Sequence, residues 1–195
     1  MKGLAKHVAA LSLGVIAFAA PVQAQAPVQF SLGGSLGIPL GDFGDAAKMG
    51  WHALAGATFK PASLPVGIQI DGNYSQFSAS DEALAAADLP EDASVKTRLM
   101  FATANAVYSF KTAETSRLHP YLIGGLGVYN AKATGDDVPD GVESTTDFGI
   151  NAGAGFNVAA GGASVFVEGR FHDVFTDGGS TQFVPITVGV RLGGK

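Results

Sequence analysis

Phe183-Val184-Pro185-Ile186-Thr187-Val188-Gly189-Val190-Arg191-Leu192, close to the end of the chain, is the segment that decides the fold. Every second residue from Val184 to Leu192 is aliphatic, and the residues between them are Pro, Thr, Gly and Arg. Successive side chains of a β-strand point to opposite faces, so this alternation predicts a strand with one apolar face and one polar or small face. Its ten residues match the roughly 9–11 that a tilted strand needs to cross a bilayer.

The same alternation recurs along the chain, and runs rich in Gly, Pro, Asp and Ser separate the segments. It is weakest in the second and fourth segments, where Ala53 and Ala104 belong to the sets that we expect on the apolar face. The pattern predicts an all-β protein, an eight-stranded antiparallel up-and-down transmembrane β-barrel. The predicted strands are residues 29–38, 51–59, 66–77, 98–110, 120–131, 147–158, 163–171 and 183–192.

The connections between these strands alternate in length and charge. Long connections follow the first, third and fifth strands, a medium one follows the seventh, and short turns follow the even strands. All but three of the 17 acidic residues lie in or beside the longer connections, the exceptions being Asp71, Glu114 and Glu168. Long loops outside the cell and short turns in the periplasm are typical of an outer-membrane barrel. In the longest loop, Ser80 is expected to cap a helical turn over residues 83–86.

Aromatic residues cluster near the predicted strand ends, as expected for side chains at the two membrane interfaces. The prediction assigns two girdles. One lies at the long-loop end and the other at the short-turn end: Trp51, Tyr74, Tyr129, Phe148 and Phe171 in the first, and Phe59, Tyr108, Phe110, Tyr121 and Phe156 in the second.

The beginning of the chain has the layout of an export signal. Lys2 and Lys6 precede a short apolar run, and Val22-Gln23-Ala24 supplies a small-residue cleavage site. We therefore expect residues 1–24 to be a signal peptide and residues 25–195 to be one outer-membrane β-barrel domain. A single helical anchor is the alternative, but the apolar run is too short to span a bilayer as a helix.

Composition excludes several classes of function. The chain has no cysteine, so neither a disulfide framework nor thiolate chemistry is available. Its net charge is −5, and Lys2 and Lys6 leave with the predicted signal, so the mature chain is more acidic still. Such a chain has no electrostatic footprint for a nucleic acid.

A water-soluble eight-stranded barrel of the lipocalin kind, carrying an apolar ligand, is the alternative architecture. In such a barrel the apolar faces would point inward and the polar faces outward. The polar faces here are rich in Gly, Ser, Thr and Asn and carry few charges. A surface in contact with water normally carries many more Lys and Glu residues, so the pattern favours the membrane barrel.

Three segments together resemble those of a known family: Thr103–Tyr108, Pro120–Gly127 and Val184–Leu192. On these residues the chain is similar to the outer-membrane β-barrel domain family, whose eight-stranded members include the transmembrane domain of OmpA and the OmpX and Ail-like proteins. The resemblance covers essentially all of the chain after the predicted signal. It implies a location in the outer membrane of a Gram-negative bacterium, contact with outer-membrane lipid and lipopolysaccharide, and a structural or surface-interaction role.

Alternation also predicts a polar network in the lumen of the barrel. An eight-stranded barrel is just wide enough for side chains to fill it, so we expect the inward charges to pair with one another and close the lumen. A small porin-like pore is the alternative. The predicted lumenal network consists of Asp71, Asn105, Asn151, Glu168, Arg170 and Arg191.

Catalysis is a further alternative, because lipid A deacylases and palmitoyltransferases occur on barrels of this size. A deacylase needs a serine activated by a histidine that a carboxylate orients. His172 with Ser180 is one conceivable pair, and His52 lies near the end of the second strand, but neither has the His-x-Ser arrangement of those enzymes. The sequence therefore predicts a non-enzymatic protein without catalytic residues, with exposed histidines in loops.

The acidic loops are the last candidate site. Residues 135–143 carry enough carboxylates for a hard cation, although they lack the spacing of an EF-hand. We expect solvated loop acids, no metal site and no cofactor. Divalent cations bridging these loops to lipopolysaccharide phosphates, and an extracellular partner bound by the loops, are the open hypotheses.

Overall fold

The structure, a computed structural model, describes residues 28–61, 64–113 and 115–193. The predicted signal segment, residues 1–24, lies outside the described residues. Two short helices stand in the long connections, α1 (Gly41–Ala46) and α2 (Asp81–Ala86). The eight strands are β1 (Val28–Leu40), β2 (Gly50–Phe59), β3 (Gly67–Ser78), β4 (Lys96–Ser109), β5 (Leu118–Thr134), β6 (Thr145–Ala160), β7 (Ala163–Thr176) and β8 (Gly179–Gly193).

The strands form a closed barrel. Each strand pairs antiparallel with the next one in sequence, and β8 pairs back with β1. The closing seam runs from Gln29 opposite Gly193 to Leu40 opposite Gln182. Both sides of every strand are therefore hydrogen-bonded, which is the condition for a sheet to lie in lipid. The predicted fold class is confirmed.

The apolar side chains point outward. Leu36 is 64 % exposed, Phe30 58 % and Val188 54 %, whereas inward residues such as Asp71 and Arg170 are buried. The facing predicted for the two weak strands is confirmed, with Ala53 of β2 and Ala104 of β4 exposed on the outer face. The lipocalin alternative is wrong, because that fold requires the opposite distribution of polar and apolar side chains.

The last hairpin is longer than predicted. β7 continues to Thr176 and β8 begins at Gly179, so Asp177 and Gly178 alone form the turn between them. Gly178 has a φ of +88°, in the left-handed region that glycine adopts without steric cost. The medium-length loop expected at this position is therefore a tight turn.

Two helices partly cover the long-loop end. α2 begins after Ser80, whose Oγ accepts a hydrogen bond from the Ala83 amide at 3.0 Å, as predicted. α1 was not predicted, and its Phe43 packs edge-on against the inward Phe77, with ring centroids 5.1 Å apart. Neither helix in the part of the chain that the structure describes is long and apolar enough to cross a membrane.

Inward glycines make room for bulky inward side chains on neighbouring strands. A Cβ added at Gly155 would collide with the Tyr121 ring, and one added at Gly189 would collide with Phe166. Large and small inward residues thus interlock across the narrow lumen.

Two residues assigned to the aromatic girdles lie inside the barrel instead. Tyr121 and Tyr129 are each 1 % exposed. They have the same parity along β5 as the inward Ile123, opposite to the lipid-facing Leu122 and Val128. Strand alternation therefore decides their direction, and their position near a strand end does not.

Candidate functional site in the barrel lumen

Arg170 of β7 stands at the centre of the lumen and joins two carboxylates from different strands. Its Nη1 donates to Asp71 Oδ2 on β3 at 2.9 Å, and its Nε donates to Glu168 Oε1 at 2.9 Å. A second bond, from Nη2 to the same Glu168 oxygen, measures 2.5 Å. The guanidinium is therefore bound on two of its edges, and the contact to Asp71 spans the interior from β7 to β3.

Asp71 is held by neutral donors as well as by Arg170. Gln69 Nε2 donates to its two oxygens at 2.9 and 3.1 Å, and Asn105 Nδ2 donates to Oδ2 at 3.0 Å. Asn105 also donates to Thr103 Oγ1 at 2.9 Å. A buried carboxylate with this many donors is well compensated for the loss of water.

Glu168 connects the central pair to the short-turn end of the lumen. Its Oε2 accepts a hydrogen bond from the Tyr121 hydroxyl at 2.8 Å, and the same hydroxyl accepts one from Arg191 Nη2 at 3.1 Å. Arg191 lies 3.7 Å from Glu168 and also donates to Asn157 Oδ1 at 2.8 Å. Two arginines and two carboxylates thus form one network in which the formal charges balance.

All six residues of the predicted lumenal network are buried, each 4 % exposed or less. The structure joins five of them through the contacts above. Asn151, on β6 opposite His172, is the exception: neither polar atom of its side chain has a hydrogen-bond partner among the described residues. Tyr121 links Glu168 to Arg191 and was missed, although its parity along β5 would have placed it inward.

Aromatic side chains occupy the long-loop half of the lumen. Phe101 stacks on Tyr129, with ring centroids 4.7 Å apart, and Phe183 stacks on His172 at 4.8 Å. Phe101 and Phe77 are each within 5.9 Å of Phe183 by centroid distance, so the rings form one connected cluster. This aromatic layer lies between the ionic network and the loops.

Two histidines are part of that layer, so the expectation that they are exposed is wrong. His52 is 3 % exposed and His172 is 2 % exposed. His172 Nδ1 is hydrogen-bonded to the Tyr129 hydroxyl at 2.8 Å, and His52 Nδ1 to Ser75 Oγ at 2.7 Å. Inward parity on β2 and β7 accounts for both positions.

The structure does not bring together the serine and histidine that the enzyme alternative requires. Ser180 lies opposite Phe175 in the ladder, whereas His172 lies opposite Phe183, further along the strand. The His52–Ser75 pair is close, but Ser75 is fully buried in the lumen and has no access to the lipid-facing rim. Neither histidine therefore meets a serine at the lipid-facing rim among the described residues.

The long loops carry most of the acidic residues and are tied to one another. Asp137 Oδ2 accepts a hydrogen bond from the Ser94 amide at 2.7 Å, which joins the β5–β6 and β3–β4 connections. Lys48 pairs with Asp81 at 2.7 Å, although both side chains are exposed. One carboxylate of residues 135–143 therefore has a structural partner.

Comparison with known proteins identifies the family to which the chain belongs. The family model described as the outer membrane protein beta-barrel domain matches residues 10–192. The search of curated proteins found no match.

Among solved structures, Neisserial surface protein A is similar at 18 % identity and a TM-score of 0.59, over 85 % of this chain and 95 % of that one. A major outer membrane protein from Thermus thermophilus is similar at 11 % identity and a TM-score of 0.53, over 85 % and 98 %. The N-terminal β-barrel domain of Pseudomonas aeruginosa OprF is similar at 14 % identity and a TM-score of 0.50, over 87 % and 100 %. At these identities the likeness concerns the fold.

Proposed function

Because this chain belongs to the outer membrane protein β-barrel domain family and lies in the outer membrane of a Gram-negative bacterium, we propose that it is a structural barrel with a closed lumen. Its lipid-facing strands would anchor it in the membrane, and its loops would carry out a surface-interaction role. The protein would not conduct ions steadily and would not be an enzyme.

One observation supports the proposal that the lumen is closed. Arg170 reaches from β7 to Asp71 on β3 and is bound to Glu168 at the same time, so a charged chain of contacts crosses the interior. An ion on its way through would have to displace these buried pairs, and breaking such a pair costs about 3–5 kcal/mol. The aromatic layer above the network, which includes Phe77 and Phe183, adds a second barrier of packed rings.

The absence of catalysis is the second part of the proposal. It is supported by the burial of Ser75 with His52, and by the distance along β7 and β8 between His172 and Ser180. Residues 1–24 would serve as the export signal, as their charged start and apolar run indicate.

The surface role is assigned to the long loops. Their excess of carboxylates suits divalent cations that bridge to lipopolysaccharide phosphates, or an extracellular partner with a basic surface. The bond between Asp137 and the Ser94 amide supports this role, because it gives the acidic loops a shared arrangement.

Planar-bilayer recording tests the closed lumen. The protein is refolded in detergent, insertion is checked by the change in gel mobility on boiling, and the current is recorded under an applied voltage. We expect no steady conductance from the wild type. A variant in which Asp71, Glu168 and Arg170 are all replaced by serine removes the charged contacts that cross the lumen and keeps the aromatic layer. A conducting variant would show that the ionic contacts are the main barrier, and a silent variant that the aromatic layer suffices. Stable open channels of the wild type would contradict the proposal.

A further inference from the structure

A cavity of about 130 Å³ opens at the short-turn end of the lumen, below the ionic network. Gln29, Thr58, Lys60, Ser109 and Arg191 are among the residues that line it. It shares Gln29, Lys60 and Ser109 with a wider depression of about 590 Å³ at the rim of the barrel, so the two are neighbours. A small molecule in the periplasm would meet this depression first and the cavity behind it.

Arg191 forms the inner wall of the cavity and is held rigidly. It is 3 % exposed, and its guanidinium carbon lies 4.6 Å from the ring centroids of both Tyr121 and Phe166. Its two terminal nitrogens donate to Asn157 and to the Tyr121 hydroxyl. Its Nε is buried and has no acceptor among the described residues. Arg191 therefore lines the cavity while one of its donors has no protein acceptor in the described chain, and leaving such a donor unpaired is costly.

The charges around the cavity favour an anion. Glu168, the carboxylate nearest to Arg191, is 3.7 Å away and is already bound by Arg170 and by the Tyr121 hydroxyl. Lys60 adds a positive charge at the opening. Lys111 and the half-buried His119 line the wider depression. No aspartate or glutamate is among the described residues that line either space.

We propose that this mouth of the barrel binds a small oxyanion of the phosphate class. The Arg191 guanidinium and the Lys60 ammonium would supply charge-assisted hydrogen bonds, and the hydroxyls of Thr58 and Ser109 would supply neutral ones. The phosphate has two possible sources, free inorganic phosphate in the periplasm or the headgroup of a phospholipid in the inner leaflet. The site is at the opposite end of the barrel from the acidic loops, and it does not depend on whether the lumen conducts.

NMR titration of the full chain in maltoside micelles, which contain no phosphate, tests the proposal. Inorganic phosphate is added at constant ionic strength against sodium chloride, and the backbone amides of Lys60, Gly67 and Ser109 are followed. We expect saturable shifts at these amides. Lys60→Gln should weaken binding roughly fivefold, as expected for the loss of one solvent-accessible charge partner. Lys132→Gln, at the other end of the barrel, is the matched control and should leave the affinity unchanged.

Arg191→Lys tests the guanidinium, because it keeps the charge but removes the planar set of N–H donors. We expect a loss of roughly tenfold or more, the scale of one charge-assisted hydrogen bond. If this variant does not give the mobility shift of a folded barrel, the double variant Lys60→Gln/Lys111→Gln replaces it, since both lysines are exposed.

A second titration with dihexanoyl phosphatidylglycerol distinguishes the two sources. Saturation by inorganic phosphate supports a site for the free anion. Saturation by the lipid alone supports a headgroup site with the same chemistry. The absence of saturable shifts with both probes would overturn the proposal, as would an equal loss of affinity in Lys60→Gln and Lys132→Gln.

Discussion

Tyr121 couples the two charged parts of the lumen through a single hydroxyl. That hydroxyl donates to Glu168 at 2.8 Å and accepts from Arg191 at 3.1 Å, and all three side chains are buried. Tyr121→Phe removes the oxygen and leaves one acceptor and one donor short of a partner, so we expect a loss of about 1–3 kcal/mol in the free energy of unfolding. Urea unfolding in lipid vesicles, followed by the fraction that keeps the folded gel mobility, measures it.

Tyr108→Phe is the matched control for this change. Tyr108 lies on the outer face of β4 and is 45 % exposed, so loss of its hydroxyl should change the free energy of unfolding by no more than about 0.5 kcal/mol. Equal effects of the two substitutions would show that the Tyr121 hydroxyl has no special place in the network.

Residue-scale reasoning from the sequence reached the charged network and its neutral partner Asn105, but it missed Tyr121. Alternation placed Asp71 and Arg170 inside without any knowledge of partners, because parity alone determines the face of a strand. It could not predict which acceptor Arg170 would reach, since that depends on the register and shear of the closed barrel. The same rule, applied strictly to β5, would have placed Tyr121 and Tyr129 inside as well.

At the scale of one strand, β1 offers a direct test of how tightly the lumen is packed. Gly37 and Gly34 lie on opposite faces. A Cβ at Gly37 would stand 2.9 Å from two ring carbons of Phe77, whereas one at Gly34 would meet nothing within 4 Å. Phe43 and Phe183 hold the Phe77 ring in place. Gly37→Ala should therefore cost about 1–3 kcal/mol of unfolding free energy through overpacking, and Gly34→Ala should stay within about 0.5 kcal/mol.

The same unfolding assay measures both variants. Combining Gly37→Ala with Phe77→Leu completes a double-mutant cycle, and we expect a favourable coupling because the smaller side chain gives the new methyl group its space. If Gly37→Ala and Gly34→Ala behave alike, the lumen is looser than these contacts indicate.

The elements themselves could be predicted to different degrees. Strand alternation located all eight strands, and Ser80 located α2 through its cap. α1 was missed because its six residues, Gly41–Ala46, include two glycines and its first-turn signal is a single aspartate. The sequence did not predict the C-terminal end of β7 or the N-terminal end of β8, because Asp173, Thr176 and Ser180 are polar and interrupt the alternation. A strand segment that extends beyond the membrane does not need an apolar face.

At the scale of the whole molecule, the barrel separates charge along its axis. Most carboxylates stand on the loops, a balanced ion network occupies the lumen, and lysines stand at the short-turn rim. The loop and turn lengths in the sequence were sufficient to predict the two ends. The short turns in the sequence place Lys60 and Lys111 at this rim. The position of Arg191 at the same cavity as Lys60 could not be predicted, because the two residues are far apart in sequence and line one space only when β8 closes on β1.

The position of the lipid-facing apolar band along the barrel can be tested by placing an arginine at its middle and, separately, near its edge. Ala104 is exposed on the outer face and pairs with Ile70 and Leu126, which are themselves lipid-facing, so it lies near the middle of the band. Ala159 is exposed near the β6–β7 turn. Ala104→Arg should cost about 2–4 kcal/mol of unfolding free energy in vesicles, because the charge must reside at the bilayer midplane. Ala159→Arg should cost about 0–1 kcal/mol, because its side chain can reach the headgroups and water. Equal, small costs at both positions would mean that the face containing Ala104 is in contact with water, which would place the strands at a different height in the membrane.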